Sequence, residues 1–117
     1  MELPHHHHDN SNILSEHMPS ADDFGTVSSL FRQLGDTSRL RIFWLLCHTE
    51  ECVINIAAMV GMSSPAVAHH LKLLKEAGLI EGRKSGKEMY YKSTDTPEAE
   101  HMHVMIEELM AIACPKC

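Results

Sequence analysis

No apolar run in the sequence approaches the length needed to span a bilayer, and residues 1–24 lack the charged-then-apolar order of a secretory signal. Both absences point to a cytoplasmic chain with no membrane partner. Also missing are a nucleophile and base at recognisable spacing and a glycine-rich phosphate loop, so nothing reads as an enzyme. The 117 residues suffice for one domain with its own core and are too few for two. Basic side chains are scarce as well: ten Lys and Arg face 16 Asp and Glu, a net charge of −6 and a poor balance for neutralising phosphates. The average conceals a pattern, however. Residues 1–24 hold five acidic side chains and no basic one, residues 25–92 hold nine basic against six acidic, and the remainder holds five acidic and one basic. A mildly basic middle is flanked by two acidic ends.

Histidine and cysteine are plentiful instead. In a reducing cytosol Cys47, Cys52, Cys114 and Cys117 read as thiols, metal ligands or redox sensors rather than structural disulfides. Ten histidines are a large excess for this length. Part of it is the run His5, His6, His7 and His8, which resembles a purification tag but is shorter than usual, so a native and an engineered origin both stay open.

Residues 1–20 are polar, contain two prolines and show no period, and read as a flexible N-terminal arm. Phe24, Val27, Leu30, Phe31 and Leu34 then recur at helical spacing and predict a helix over about 21–34, stopped by Gly35. Asp36-Thr37-Ser38 supplies cap residues for a second helix to about residue 48, with Leu40, Ile42, Phe43, Leu45 and Leu46 as its apolar set. Composition alone leaves residues 52–60 as strand or helix. The sequel favours a helix: Gly61 stops it, and Ser64-Pro65 offers an N-cap and first-turn proline for a helix from Pro65 to Ala77. That helix has Val67, Leu71 and Leu74 on one stripe and Gly78 as its C-cap. Short helix, glycine turn and capped helix make a helix-turn-helix. Behind it, LIEGRKSGKEMYYKS folds about Ser85-Gly86 as a β-hairpin, and Thr96-Pro97 opens a last helix that Pro115 ends near Cys114. The expected fold is mainly α with a small β-hairpin, a winged helix-turn-helix. Its parts are an arm (1–20), a winged helix-turn-helix domain (21–95) and a C-terminal helix (96–117).

At about 100° per residue, the stripe Val67, Leu71 and Leu74 faces inward and leaves Ser64, His69 and Lys72 on the side open to a major groove. Six of the ten basic residues fall in 72–92, where Lys72 and Lys75 can reach phosphates and Arg83, Lys84 and Lys87 form a wing tip. The candidate DNA-contacting set is Ser63, Ser64, Ala66, His69, His70, Lys72, Arg83, Lys84 and Lys87.

LFRQLGDTSRLRIFWLL, SSPAVAHHLKLLKEAGLI and RKSGKEMYY together resemble the ArsR/SmtB family of bacterial winged-helix repressors over about residues 24–93. The resemblance implies a homodimeric repressor, dimer through terminal helices, whose residues 21–95 bind an inverted-repeat operator and whose residues 96–117 form a dimerisation and sensor helix; it is released when an inducer, usually a metal or metalloid ion, binds. His70 matches the usual family histidine, whereas Ser64, Pro65 and Ala68 depart from the common Gln and Ser residues, so the operator sequence does not carry over. The family's thiolate site ELCVCDL corresponds to Glu50-Glu51-Cys52-Val53-Ile54-Asn55-Ile56, where Cys52 alone survives. Cys47, five residues earlier, can approach it or, like Cys52, serve as a small buried hydrophobe.

The family's last-helix site, placed without a gap, falls on Asp95, Pro97, Glu108 and Ala111, and only the first matches the family's ligand. Shifted by six residues the spacing falls on His101, His103, Cys114 and Cys117, all ligand types for Zn²⁺ or another soft or borderline divalent ion. His103 and Cys114 share a helix face but lie about 16 Å apart along the axis, so such a site needs an antiparallel partner helix across a two-fold axis. His101 is the weak member, and Glu107, one turn after His103, is a substitute. Cys114-Pro115-Lys116-Cys117 also fits a dithiol responding to oxidants or reactive sulfur.

Overall fold

Local capping sets most of the helix starts. In the computed structural model, which describes residues 2–5, 10–114 and 116, a helix α2 (Ala21–Leu34) opens with a capping box. Ser20 Oγ accepts from the Asp23 N–H at 3.1 Å, and the Ser20 N–H donates to the Asp23 carboxylate at 3.3 Å. Before it, within the stretch read as an aperiodic arm, Ser11–His17 forms a seven-residue helix α1 that buries none of its residues. Helix α3 (Thr37–His48) follows, with the Asp36 carboxylate accepting from the Arg39 N–H at 2.9 Å. The same bond, reinforced by the nearby His70 and Arg39 charges, holds the Asp36 carboxyl below its ordinary pKa.

Residues 51–60 divide between two structures. Glu51–Cys52 is a two-residue strand β1, and Val53–Val60 is helix α4, ended by Gly61 at φ +69°. Helix α5 (Ser64–Glu76) begins one residue earlier than the sequence suggests: Ser63 is the N-cap, its Oγ accepting from the Ala66 N–H at 3.3 Å, while Ser64 and Pro65 fill the first turn. Its end is likewise shifted. Ala77 is the cap and Gly78, at φ +75°, is the next residue, so the Gly78 N–H reaches the Lys75 carbonyl and the Leu79 N–H the Leu74 carbonyl, both at 3.0 Å. This is the paired closure that glycine in the left-handed region permits, and the buried Leu74 and Leu79 flank it.

Strands β2 (Ile80–Ser85) and β3 (Glu88–Ser93) form the wing, joined by Gly86-Lys87 with Gly86 at φ +63°. The sheet has one strand more than the hairpin expected: β1 pairs antiparallel with β3, giving the order β1-β3-β2. Helix α6 (Pro97–Ala113) completes the chain, its first turn capped by Thr96 Oγ1 accepting from the Ala99 N–H at 3.2 Å. The core gathers Ile42, Phe43 and Leu46 of α3, Ile56 and Val60 of α4, the α5 stripe Val67, Leu71 and Leu74, and Met102 and Ile106 of α6. The arrangement is the winged helix-turn-helix the sequence predicts, mainly helical with one small sheet.

Two helices keep a second apolar face. Leu30 and Leu34 of α2 pack on the core, while Phe24, Val27 and Phe31 on another side stay about half exposed. Along α6, Met102 and Ile106 are buried, but Leu109 and Ile112 are 55% and 76% exposed.

Candidate nucleic-acid interface and metal centre

The buried stripe of α5 fixes which side of the helix faces out. Ser63, Ser64, Ala68, His69, Lys72 and Lys75 are exposed and Ala66 is half-buried, so the outward row recurs every three or four residues. Neither Lys72 nor Lys75 forms an ion pair with a described residue, and the same holds for Lys84 and Lys87 on the wing. Two of the other expected contacts are engaged inside the chain. The His70 ring is half-buried, its Nδ1 lying 3.3 Å from an Arg39 guanidinium nitrogen, while Arg39 Nε donates to the Gln33 carbonyl at 2.6 Å. Desolvation, with the Arg39 and His69 charges, pulls the His70 pKa below 6.5 against the opposing pull of Asp36. His70 therefore braces α5 against α3, in surroundings that favour its neutral form.

Arg83 is not at the wing tip. It sits opposite Tyr90 within the ladder, its guanidinium 5.3 Å from the Tyr90 ring and bound to both Glu50 oxygens, at 2.7 Å for the closest contact. The tip consists of Lys84, opposite Met89, and Lys87 in the turn. Arg83 and Lys84 stand on consecutive rungs of the ladder, and the ion pair with Glu50 is what sets Arg83 apart from the two lysines.

Among the candidate ligands, His101 is exposed, Cys114 caps the end of α6 and is exposed, and Cys117 lies outside the described residues, as do His6, His7 and His8. The chain by itself does not bring His101, His103 and Cys114 together. It does bring His103 to residues of another helix. His103 Nε2 lies 3.2 Å from Glu107 Oε1, His48 Nε2 lies 3.1 Å from the same oxygen, and Trp44 Nε1–H donates to it at 2.9 Å. Hydrogen bonds from His48, then Trp44 and His103, hold the Glu107 carboxyl below its ordinary range. His48 was missed from sequence because 59 residues separate it from Glu107. The one local hint is its i,i+4 spacing from Trp44, which places both on one face of α3. Cys47 and Cys52 are half-buried and buried, and burial pushes the Cys47 thiol up to about 11, so it is a protonated, weakly nucleophilic packing residue.

A short supporting helix, a glycine turn, an outward-facing capped helix and a basic β-wing define a winged helix-turn-helix protein. Residues 36–82 match the family described as bacterial regulatory protein, arsR family. The chain belongs to this ArsR/SmtB family of transcriptional regulators. It is 35% identical over 83 residues to a cadmium resistance transcriptional regulatory protein CadC homolog of Staphylococcus aureus, covering 70% of this chain and 65% of that one. With the arsenical resistance operon repressor of Escherichia coli it shares 41% over 64 residues, covering 54% of this chain and 55% of that one. It thus spans between about half and two thirds of the length of these relatives. Among solved structures, the homodimeric winged helix-turn-helix DNA-binding domain of a possible ArsR-family regulator from Mycobacterium bovis superposes with a TM-score of 0.67 at 25% identity, covering 80% of this chain and 88% of that one.

Proposed function

We propose that this protein is a DNA-binding transcriptional repressor, a homodimer on an inverted-repeat operator, released when a soft or borderline divalent metal ion binds on its C-terminal helix. The observation that carries the reading is the outward row of α5, with Ser64, His69 and Lys72 presented beside a wing whose Lys84 and Lys87 have no ion-pair partner among the described residues. The helix would read base edges while the wing and Lys72 meet backbone phosphates. Dimerisation is supported by the second apolar faces of α2 and α6, which a two-fold partner would cover. The proposed ligand pool on α6 is His101, His103, Cys114 and Cys117, with Glu107 in reserve, and the ion would supply a fixed link between helices. The names of the relatives, which speak of cadmium and arsenical resistance, favour a metal signal.

The test is operator binding by the reduced protein, measured on a fragment of its own promoter while Zn²⁺, Cd²⁺ or As(III) is titrated. A tenfold or greater loss of DNA affinity, about 1.4 kcal/mol of coupling, is expected with one ion per chain. Equal binding by metal-free and metal-loaded protein would falsify the metal signal. If release instead follows oxidation, the exposed Cys114 and its neighbour Cys117 carry a dithiol switch.

A further inference from the structure

The carboxylate of Glu107 is crowded at one oxygen only. Its Oε1 meets Trp44 Nε1, His48 Nε2 and His103 Nε2 within 3.2 Å, while Oε2 has no hydrogen-bond partner among the described residues. Ligand atoms of His48, His103 and Glu107 all lie within 4.8 Å of one another. We propose that these three side chains form a binding site for a borderline divalent cation, with Zn²⁺ as its reference ion, closed within a single chain. This rests on the repressor reading and revises its ligand pool: His103 is kept, Glu107 and His48 replace His101, Cys114 and Cys117, and the ion lies between α3 and α6.

The donor set argues for this class of ion. Two imidazoles and one carboxylate suit Zn²⁺, Co²⁺ or Ni²⁺, whereas Mg²⁺ and Ca²⁺ take oxygen ligands. With metal–ligand bonds of 2.0–2.1 Å, tetrahedral donors stand about 3.3 Å apart, close to the separations of 3.1 and 3.2 Å from each imidazole to the carboxylate. A neutral imidazole can carry its proton on Nδ1 and leave the Nε2 lone pair for the ion, so no change of net protonation is required. His48 stacks edge-on against His103 with ring centroids 5.0 Å apart, which limits the rotation of both rings. The three side chains are 31–46% exposed, so an ion can enter and water can complete its coordination. An ion here would tie the last residue of α3, the helix on which α5 packs, to the helix carrying the outward Leu109 and Ile112.

The test uses the full chain with His5, His6, His7 and His8 changed to Gln so that the run does not compete. Zn²⁺ affinity is read by competition with a chromophoric chelator, and Co²⁺ is added as a spectroscopic probe. One Zn²⁺ per chain is expected, weakened about 100-fold by His48→Ala and at least tenfold by Glu107→Gln, with His101→Gln unchanged. Glu107→Gln keeps an acceptor for Trp44 and so separates ligation from folding, which circular dichroism confirms for both variants. The Co²⁺ spectrum should show ligand-field bands without a near-ultraviolet thiolate band. Unchanged Zn²⁺ affinity in His48→Ala or Glu107→Gln, or a thiolate band, overturns the site. None of these measurements involves DNA, so the site can fail while operator release stands, and operator release can fail while the site stands.

Discussion

Helices α5 and α6 are both capped at their first turn and both bury a stripe in the same core, yet they differ in where their other faces find partners. Helix α5 settles its contacts locally: Ser63 caps it, Gly78 closes it, and its outer row is polar and open. Helix α6 is longer and has three claims on its surface, namely the core through Met102 and Ile106, the far end of α3 through His103 and Glu107, and an open apolar row through Leu109 and Ile112. A helix whose face is open to a ligand can be described from its own residues. One that joins distant elements is defined by what it joins.

The sharpest way to break this comparison is to truncate one apolar residue on each helix. Leu71→Ala on α5 should cost about 2–5 kcal/mol in urea unfolding because Leu71 is buried on all sides. Leu109→Ala on α6 should cost at most about 0.5 kcal/mol and should instead raise the dissociation constant of the proposed dimer in sedimentation equilibrium. Equal unfolding costs would mean that the two faces are not distinct. Next in size is the closure of α5: Gly78→Ala forces a Cβ into the left-handed region at φ +75° and should lose about 1–2 kcal/mol by the same assay.

A smaller effect concerns the DNA-facing row. Lys72→Ala should weaken all DNA sequences alike and lower the slope of log affinity against log salt by about one, whereas Arg83→Ala should change that slope less, since Glu50 already neutralises the guanidinium. A larger effect at Arg83 would mean that the ion pair opens on DNA. The smallest expected effect is on pH. The His70 pKa is depressed in the fold, chiefly by desolvation, so unfolded chains take up its proton first; its contribution is complete above pH 6.5 and is lost as pH falls below that. His70→Gln, which does not titrate, should flatten that part of the stability curve, while an unchanged slope would mean that His70 does not contribute to it.

The same contrast explains how much could be read in advance. The winged fold, the inward stripe Val67, Leu71 and Leu74 and the cap of α6 follow from period, glycine and cap residues within a few positions of each other. The cap of α5 was displaced by one because Ser63 and Ser64 are adjacent and proline is accepted in either of the first two positions of a helix. The engagement of Arg83 by Glu50 was not legible because 33 residues separate the pair. Strand β1 has two residues, too few for a pattern, and exists only because Tyr90 and Tyr91 are there to pair with it. The meeting of His48 with Glu107 depends on the crossing of two helices far apart in sequence, and no local rule encodes that.

Strand β1 has a further effect that its length conceals. Exposed strand edges invite pairing with other chains in an open-ended mode of assembly. Glu51 and Cys52 occupy the middle of the free side of β3, opposite Tyr91 and Tyr90, and on the far side of the sheet β2 carries Arg83 and Lys84. Two residues of backbone thus shorten the open edge of β3, while basic side chains on the outer strand β2 work against pairing at the other edge.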